Sequence, residues 1–474
     1  MRIAMVAPEA VPYAKTGGLA DVVGALQRGM NIKGHDCSMF LPCYERIQNN
    51  HDIKQILSGL RVNVGDRTYY YNVFSLDGAY FIANDFFFNR SGLYGDSRGD
   101  FPDNAERFAF FCKAVLQTQS TLGIVPEIYH VHDWQTGLLP FYLDQDSSYG
   151  HDTRSVLTIH NAGYQGVFPP SAMTSIGASK EHFRIDSLEF NGNISLLKAG
   201  IVYSDSVTTV SPTYAREITE TSLGYGLEGL LSAKGVKGIL NGIDYDLWDP
   251  STDTSIHINY DVGKRSKGKS ACKKHLCKIL DMNDPALPVI GVIGRFSWQK
   301  GYDIIAGSLT KIISMGFNVV ILGSGDLEIE RSLRDIAVKF PGRVSVNIGF
   351  NDALARNIYA GSDLFLMPSR YEPCGLAQMI AMSYGSIPVV RHTGGLADTI
   401  KDHRPSRSSG TGFIFRKDDS ISLLRCLGRA LKAYNDRTVW QRLTKNSMMK
   451  RFTWDYAIDQ YIDVYSSENR VSMN

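Results

Sequence analysis

Cysteine is sparse and unpatterned in this chain. Cys37, Cys43, Cys112, Cys272, Cys277, Cys374 and Cys426 are scattered and odd in number, and no C-x-x-C occurs. Reduced thiols in a cytosol fit this usage better than a secreted disulfide framework. A zinc site at Cys272 and Cys277 is disfavoured, since no second ligand pair follows. Charge of one sign is also missing. The 50 Lys+Arg against 48 Asp+Glu leave +2, which removes the compositional argument for a nucleic-acid partner. No uncharged apolar run reaches the ~18 residues of a membrane helix, so no membrane partner is expected. The charge-free stretch 374–390 is broken by Gln378, Ser383, Gly385, Ser386 and Pro388, and reads as a buried helix followed by a strand. The first residues, Met1-Arg2-Ile3-Ala4-Met5-Val6-Ala7-Pro8, form a core strand and lack the n- and h-regions of a signal peptide. The expected location is the cytoplasm, or a plastid if a transit peptide has been removed.

What is present is an ordinary globular composition, 43% hydrophobic and 21% charged, in 474 residues, enough for two or three domains. Short apolar runs recur at 3–7, 38–41, 128–131, 155–159 and 206–210, and again at 289–293, 318–322, 344–348, 364–367 and 387–390. Most lack period-2 alternation, the signature of parallel strands buried on both faces. Helical patterns lie between them, as at 105–121, 303–315 and 376–384. Strand alternating with helix predicts an α/β fold with doubly wound parallel sheets. The polar, Lys-rich stretch from Asp249 through Lys274 is the expected domain boundary. Each half then carries its own sheet, and the carboxyl ends of the strands should line a cleft.

The motifs cluster at those ends. Thr16-Gly17-Gly18-Leu19-Ala20-Asp21 reappears as Thr393-Gly394-Gly395-Leu396-Ala397-Asp398, each copy following a strand and opening a helix. Paired glycines let backbone amides approach a ligand. Lys15 beside the first copy suits a phosphate or carboxylate, although the loop lacks P-loop order. His130-Val131-His132-Asp133-Trp134 and Thr158-Ile159-His160-Asn161 end two strands and suggest a polar pocket; metal ranks low there, because no third ligand is near. Arg295 and Lys300 are bracketed by Gly294 and Gly301 and can clamp a diphosphate. Glu372 is the sole acid before an uncharged helix, where a helix N-terminus favours its ionised form. Cys374 reads as buried packing rather than a nucleophile.

Together these motifs resemble the glycogen and starch synthases, retaining glucosyltransferases of the GT-B fold. The resemblance rests on Lys15 to Asp21, Asp133, His160-Asn161, Asn241-Gly242-Ile243-Asp244, Arg295 to Gly301, Glu372 to Leu376 and Thr393 to Asp398, and extends to Phe452-Thr453-Trp454, Tyr461 and Tyr465 near the end. It implies two Rossmann-like domains facing a deep cleft: 1–249 on the acceptor side, 250–455 binding the nucleotide sugar, and 456–474 as a helix packing back on the first. It implies transfer of glucose from ADP-glucose, or UDP-glucose, to the non-reducing end of an α-1,4-glucan, with no metal or other cofactor.

By the same resemblance, Arg295 and Lys300 neutralise the diphosphate and His160 contacts the donor glucose. Glu372 holds glucose hydroxyls, while Asp133 and Asn241 orient sugar hydroxyls beside Asn161. Lys15, Asp21 and the amides of Gly17, Gly18, Gly394 and Gly395 meet phosphate or sugar, with Thr393 opening the second loop. Cys374, Gly375 and Leu376 form the turn after Glu372, whose amides at 375 and 376 are further donors. Glu9 lies near the glucan. Phe350 stands where the family often has a tyrosine against the nucleobase, so stacking survives without the hydroxyl. A GT-B transferase with another donor or acceptor, and a non-catalytic glucan-binding homologue, are the alternatives. Retention of Lys15, His160, Arg295, Lys300 and Glu372 together speaks against decay.

Overall fold

The computed structural model describes residues 1–146, 153–406 and 408–467. The chain forms two compact units, one made of Met1–Ile239 with the segment from Trp454 on, the other of Leu240–Thr453.

The first unit is built on a nine-stranded sheet in the order Val236–Gly238, Ser206–Thr209, Arg154–Ile159, Ile128–His132, Arg2–Val6, Asp36–Pro42, Ala79–Ala83, Arg67–Leu76, Lys54–Val64. The first seven run parallel, Arg67–Leu76 runs against them, and Lys54–Val64 pairs antiparallel with Arg67–Leu76 at the edge. The order reverses between Arg2–Val6 and Ile128–His132, so the loops after these strands stand at the switch point where α/β sheets bind ligands. Ile128–His132 is buried at all five positions, its two histidines included.

The second unit has a six-stranded, wholly parallel sheet in the order Val344–Ile348, Asn318–Gly323, Val289–Ile293, Leu364–Met367, Ile387–Arg391, Phe413–Phe415. Its switch point lies between Val289–Ile293 and Leu364–Met367. A core of Ile290, Val292, Val319, Leu364 and Val389 with Ile305, Leu309 and Leu427 joins sheet and helices. All ten expected strands form. The three expected helices span Asn104–Leu122, Tyr302–Ser314 and Ala377–Ser383. No helix among the described residues is long and apolar enough to cross a membrane.

Three expectations change. The Lys-rich stretch is not a linker, because 265–279 is a helix inside the second unit. Lys273 is buried and pairs with Asp363 at 2.7 Å, while Lys269 donates to the carbonyls of Ala360 and Tyr384 at 3.0 and 3.1 Å. Tyr260, also expected in the linker, is buried with its hydroxyl 2.8 Å from the Tyr384 carbonyl. Residues 263–270 also spell G-x-x-x-x-G-K-S. No phosphate loop results: Gly268 packs on Tyr260, and the lysine ends among those carbonyls.

The boundary falls at 239/240 instead of 249/250. The segment after Leu240 is bound to the second unit: the Ile243 amide donates to the Phe452 carbonyl at 2.9 Å, and Arg356 lies over Trp248 at 4.4 Å while donating to the Leu247 carbonyl. The terminal helix runs Trp454–Ser466 and packs on helix Gly18–Ile32 of the first unit; residues 468–474 of that expectation lie outside the described residues.

The antiparallel pair Lys54–Val64 and Arg67–Leu76, joined at Gly65-Asp66, is absent from the sequence reading. Over residues 60–64 and 69–73 more and less buried positions alternate, so a search for continuous apolar runs passes over it.

Candidate active site

In the first unit the chain leaves strand Arg2–Val6 and buries Glu9, whose carboxylate accepts the Thr16 amide and, at 3.0 Å, the Thr16 hydroxyl. Burial raises the Glu9 pKa and the Thr16 hydrogen bonds oppose it. The closed loop brings Lys15 to Asp21, in the first turn of helix Gly18–Ile32, at 2.8 Å.

Asp133 ends the neighbouring strand with φ +58, an uncommon conformation for a non-glycine residue. Its Oδ1 accepts the His160 amide at 2.6 Å and so ties two strand-end loops together. Burial pushes its carboxyl up to about 7, opposed by the amides of His160 and Asn161 and reinforced by the charge of Glu9. Asn161 folds its own loop by accepting the Gly163 amide at 3.0 Å.

Behind Asp133 lies a stack of imidazoles. His132 Nδ1 is 3.0 Å from His160 Nε2, and the His130 and His132 rings are 4.2 Å apart. His130 bonds the Thr158 hydroxyl at 2.6 Å through Nε2 and the Tyr465 hydroxyl at 2.7 Å through Nδ1. Burial pushes His130 and His160 down to about 3, so both are neutral. With Nε2 engaged, His160 keeps Nδ1 for a ligand. His130 spends both ring nitrogens on protein hydroxyls, whereas His132 Nε2 is buried with no hydrogen-bond partner among the described residues. No group of three or more His, Cys, Asp or Glu among the described residues is placed to hold a metal.

In the second unit Lys300 meets both oxygens of buried Glu372 at 2.7 Å, and the Ser369 hydroxyl donates to one of them at 2.9 Å. The carboxylate was expected beside a helix N-terminus, but that helix starts only at Ala377; Lys300 and Ser369 hold it instead. Arg295 is exposed on the same loop as Lys300. Arg370 joins the two loops. It meets both oxygens of Asp303 at 2.7 Å, donates to the Trp298 carbonyl at 2.7 Å, and lies 4.4 Å over the Trp298 ring. Its own amide donates to the Gln299 carbonyl at 2.8 Å.

The second glycine pair packs against the Glu372 loop. The Gly395 amide donates to the Glu372 carbonyl at 3.0 Å, and a Cβ on Gly394, at φ +41, would stand 1.9 Å from that oxygen. Thr393 precedes them, buried, at the helix N-cap. Gly375 takes φ +72 before Leu376. Asn241 is buried against Cys374 and hydrogen-bonds its thiol; burial pushes that thiol up to about 12, which makes it packing. Phe350 is 93% exposed, next to Gly349, whose amide donates to the Gly323 carbonyl at 2.8 Å.

The structure thus groups Glu9, Lys15, Gly17, Gly18 and Asp21 with Asp133, His160 and Asn161 in one unit. It groups Asn241, Arg295, Lys300, Glu372, Cys374, Gly375 and Thr393 to Gly395 in the other, which also carries Phe350 just after the edge strand Val344–Ile348. Sequence reasoning missed Thr16 as the partner of Glu9, Ser369 as that of Glu372, and Arg370 as the brace. Only their positions in the motif loops hinted at them.

Residues 2–233 match the family model for the starch synthase catalytic domain, and 287–433 that for group 1 glycosyl transferases. Glycogen synthase of Geotalea uraniireducens is 41% identical, over 98% of each chain. The chain belongs to the glycogen and starch synthase family. The catalytic domain of starch synthase IV from Arabidopsis thaliana, solved with ADP and acarbose, superposes with a TM-score of 0.89 at 33% identity, covering 98% of each chain. Sucrose-phosphate synthase from Thermosynechococcus elongatus, at 17% identity and TM-score 0.63 over 98% of each chain, shares the fold. As a member of this family the protein is a GT-B enzyme, a glucosyltransferase that elongates α-glucan.

Proposed function

We propose that this synthase transfers glucose from ADP-glucose to the non-reducing end of an α-1,4-glucan, with retention at the anomeric carbon and without a metal. The observation that carries the reading is the pairing of two switch-point loops in the second unit. One presents Arg295 and Lys300, the other a desolvated Glu372 whose charge Lys300 meets at 2.7 Å. A diphosphate that departs as an anion needs fixed positive charge, which a cation pair supplies where other transferases use a metal. Lys300 carries three donors, so it can serve Glu372 and a phosphate oxygen together.

In this reading Arg295 and Lys300 neutralise the leaving diphosphate, with amides at Gly375, Leu376, Gly394 and Gly395 as further donors. Glu372 holds glucose hydroxyls. His160, neutral, donates or accepts through Nδ1 at the donor glucose, and Asp133, Asn161 and Asn241 orient hydroxyls. Lys15, Asp21 and the loop at Gly17-Gly18 complete the donor contacts, Glu9 lies towards the glucan, and Phe350 stacks on the adenine. ADP as the nucleotide is supported by the ADP held by starch synthase IV. Seven free, buried thiols support a reducing, cytoplasmic compartment.

The test is an initial-rate comparison of ADP-glucose, UDP-glucose and GDP-mannose, with and without a glucan primer. Primer-dependent turnover of ADP-glucose that survives chelator treatment is expected. Preference for another donor, or loss restored by added metal, overturns the corresponding part. Arg295→Ala and Lys300→Ala are each expected to lower kcat by roughly 10²–10³, the scale of losing one preorganised donor.

A further inference from the structure

The first unit holds a cavity of about 570 Å³ that none of the residues above lines. It lies between the hairpin strand Lys54–Val64, the middle of helix Asn104–Leu122, the end of helix Leu138–Gln145 and the turn at 177–182. Its size falls within the range of small-molecule sites. One wall is built by backbone packed on backbone. A Cβ on Gly65, at φ +57, would stand 2.1 Å from the Thr174 carbonyl oxygen, and one on Gly177, at φ +70, 2.7 Å from the Gly65 nitrogen. That contact holds the hairpin turn down and fixes the rim carrying Arg61 and Asn63.

The lining carries more positive than negative charge, with Lys113 and Arg61 against the single carboxylate of Asp146. Lys113 is half-buried, with its ammonium 4.7 Å from the Tyr142 ring centroid. Among the described residues it has no ion-pair partner and no hydrogen-bond acceptor. Burial lowers its pKa, and the charge of Asp146 opposes this. Arg61 is exposed at the rim, and likewise has no ion-pair partner among the described residues. His182 faces the same space, 5.0 Å from the Phe141 ring. Asp146 is the one carboxylate among the lining residues. Gln117, Gln145, Asn63 and Ser179 add neutral donors and acceptors.

We propose that this cavity binds a phosphorylated sugar, the phosphate on Lys113 and Arg61 and the hydroxyls on the amides of Gln117 and Gln145. An ammonium taken half out of water with no direct ion pair is costly, and a bound phosphate offsets that cost. A neutral glucan would leave two cations facing a single carboxylate. A nucleobase has no open ring face to stack on, since Phe141 and Tyr142 are 1% and 5% exposed.

The test is calorimetric titration of the full chain with glucose 6-phosphate, inorganic phosphate and maltose. ADP is held at saturation, so that phosphate binding at the nucleotide site is not counted. Glucose 6-phosphate is expected to bind one site, more tightly than inorganic phosphate, and more weakly as salt rises. Lys113→Met is expected to weaken it about tenfold and Arg61→Gln several-fold, as for lost charge-assisted bonds. Both variants should keep wild-type glucosyl transfer in the absence of the sugar phosphate. Arg61 is exposed, so its variant remains informative if Lys113→Met does not fold. No binding by the wild type, binding unchanged in the variants, equal binding of inorganic phosphate, or preferential binding of maltose would each overturn the proposal.

Discussion

At the scale of single residues, the site depends on groups that hold other groups. Arg370 is the clearest case, because it locks the loop bearing Lys300 to the loop bearing Glu372 through one ion pair, two backbone contacts and a stacked ring. Arg370→Ala is expected to lower kcat about 10- to 100-fold while the Kd for ADP stays within about three-fold, since orientation is lost and the phosphate donors remain. Arg370→Lys should fall between, having charge but no fork. Equal losses in kcat and ADP affinity would refute a positioning role. Burial sets a pH dependence through Asp133 and the histidines. Asp133 titrates at about 7 when folded against an ordinary 3.8. The folded state therefore binds the extra proton between those values, and this contribution to stability is lost as pH rises through 7. His130 and His160, at about 3 against 6.5, act in the opposite sense, and their contribution is lost as pH falls from 6.5 towards 3. Asp133→Asn should therefore gain Tm relative to wild type steadily from pH 4 to 7 and level off above that. Parallel Tm profiles would contradict the raised value.

At the scale of elements, the two copies of Thr-Gly-Gly-Leu-Ala-Asp show that identical residues need not share a constraint. Gly17 has φ −149, and the nearest atom to an added Cβ is a Glu9 carboxylate oxygen at 4.0 Å. Gly394 has φ +41 and backbone at 1.9 Å. Gly17→Ala is expected to leave Tm within a degree or two, the usual surface effect. Gly394→Ala should cost on the order of 1–3 kcal/mol and displace the Glu372 loop, read as lower Tm and lower kcat. The repeat was legible in sequence because both copies punctuate a strand-to-helix turn. The difference was not, because it arises from contact with residues 372–374. The hairpin Lys54–Val64 with Arg67–Leu76 escaped for a related reason: its apolar residues are interrupted by polar ones, so no long continuous apolar run marks it.

At the scale of the whole molecule, the chain crosses to the second unit after Ile239 and rejoins the first at Trp454. The returning helix is integral to the first unit. Ile458 fills the space where a Cβ on Gly29 would stand 2.0 Å away, Lys33 pairs with Asp459 at 2.8 Å, and the Tyr465 hydroxyl bonds buried His130. Tyr465→Phe orphans an imidazole nitrogen and should cost about 1–3 kcal/mol in urea unfolding. An unchanged midpoint would show the bond to be dispensable. The amino-acid order by itself determined the alternation of buried strand and helix, the glycine-marked turns, and the placing of polar motifs after strands. Each is a local property of apolar run length and backbone conformation. Tertiary structure alone decided which groups partner: Lys300 with Glu372, Lys273 with Asp363, Glu9 with Thr16, and the side of the boundary taken by 240–249. A lysine-rich stretch reads as solvated until distant carboxylates and carbonyls close around it, and that closure is set by strand order, which residues near in sequence do not encode.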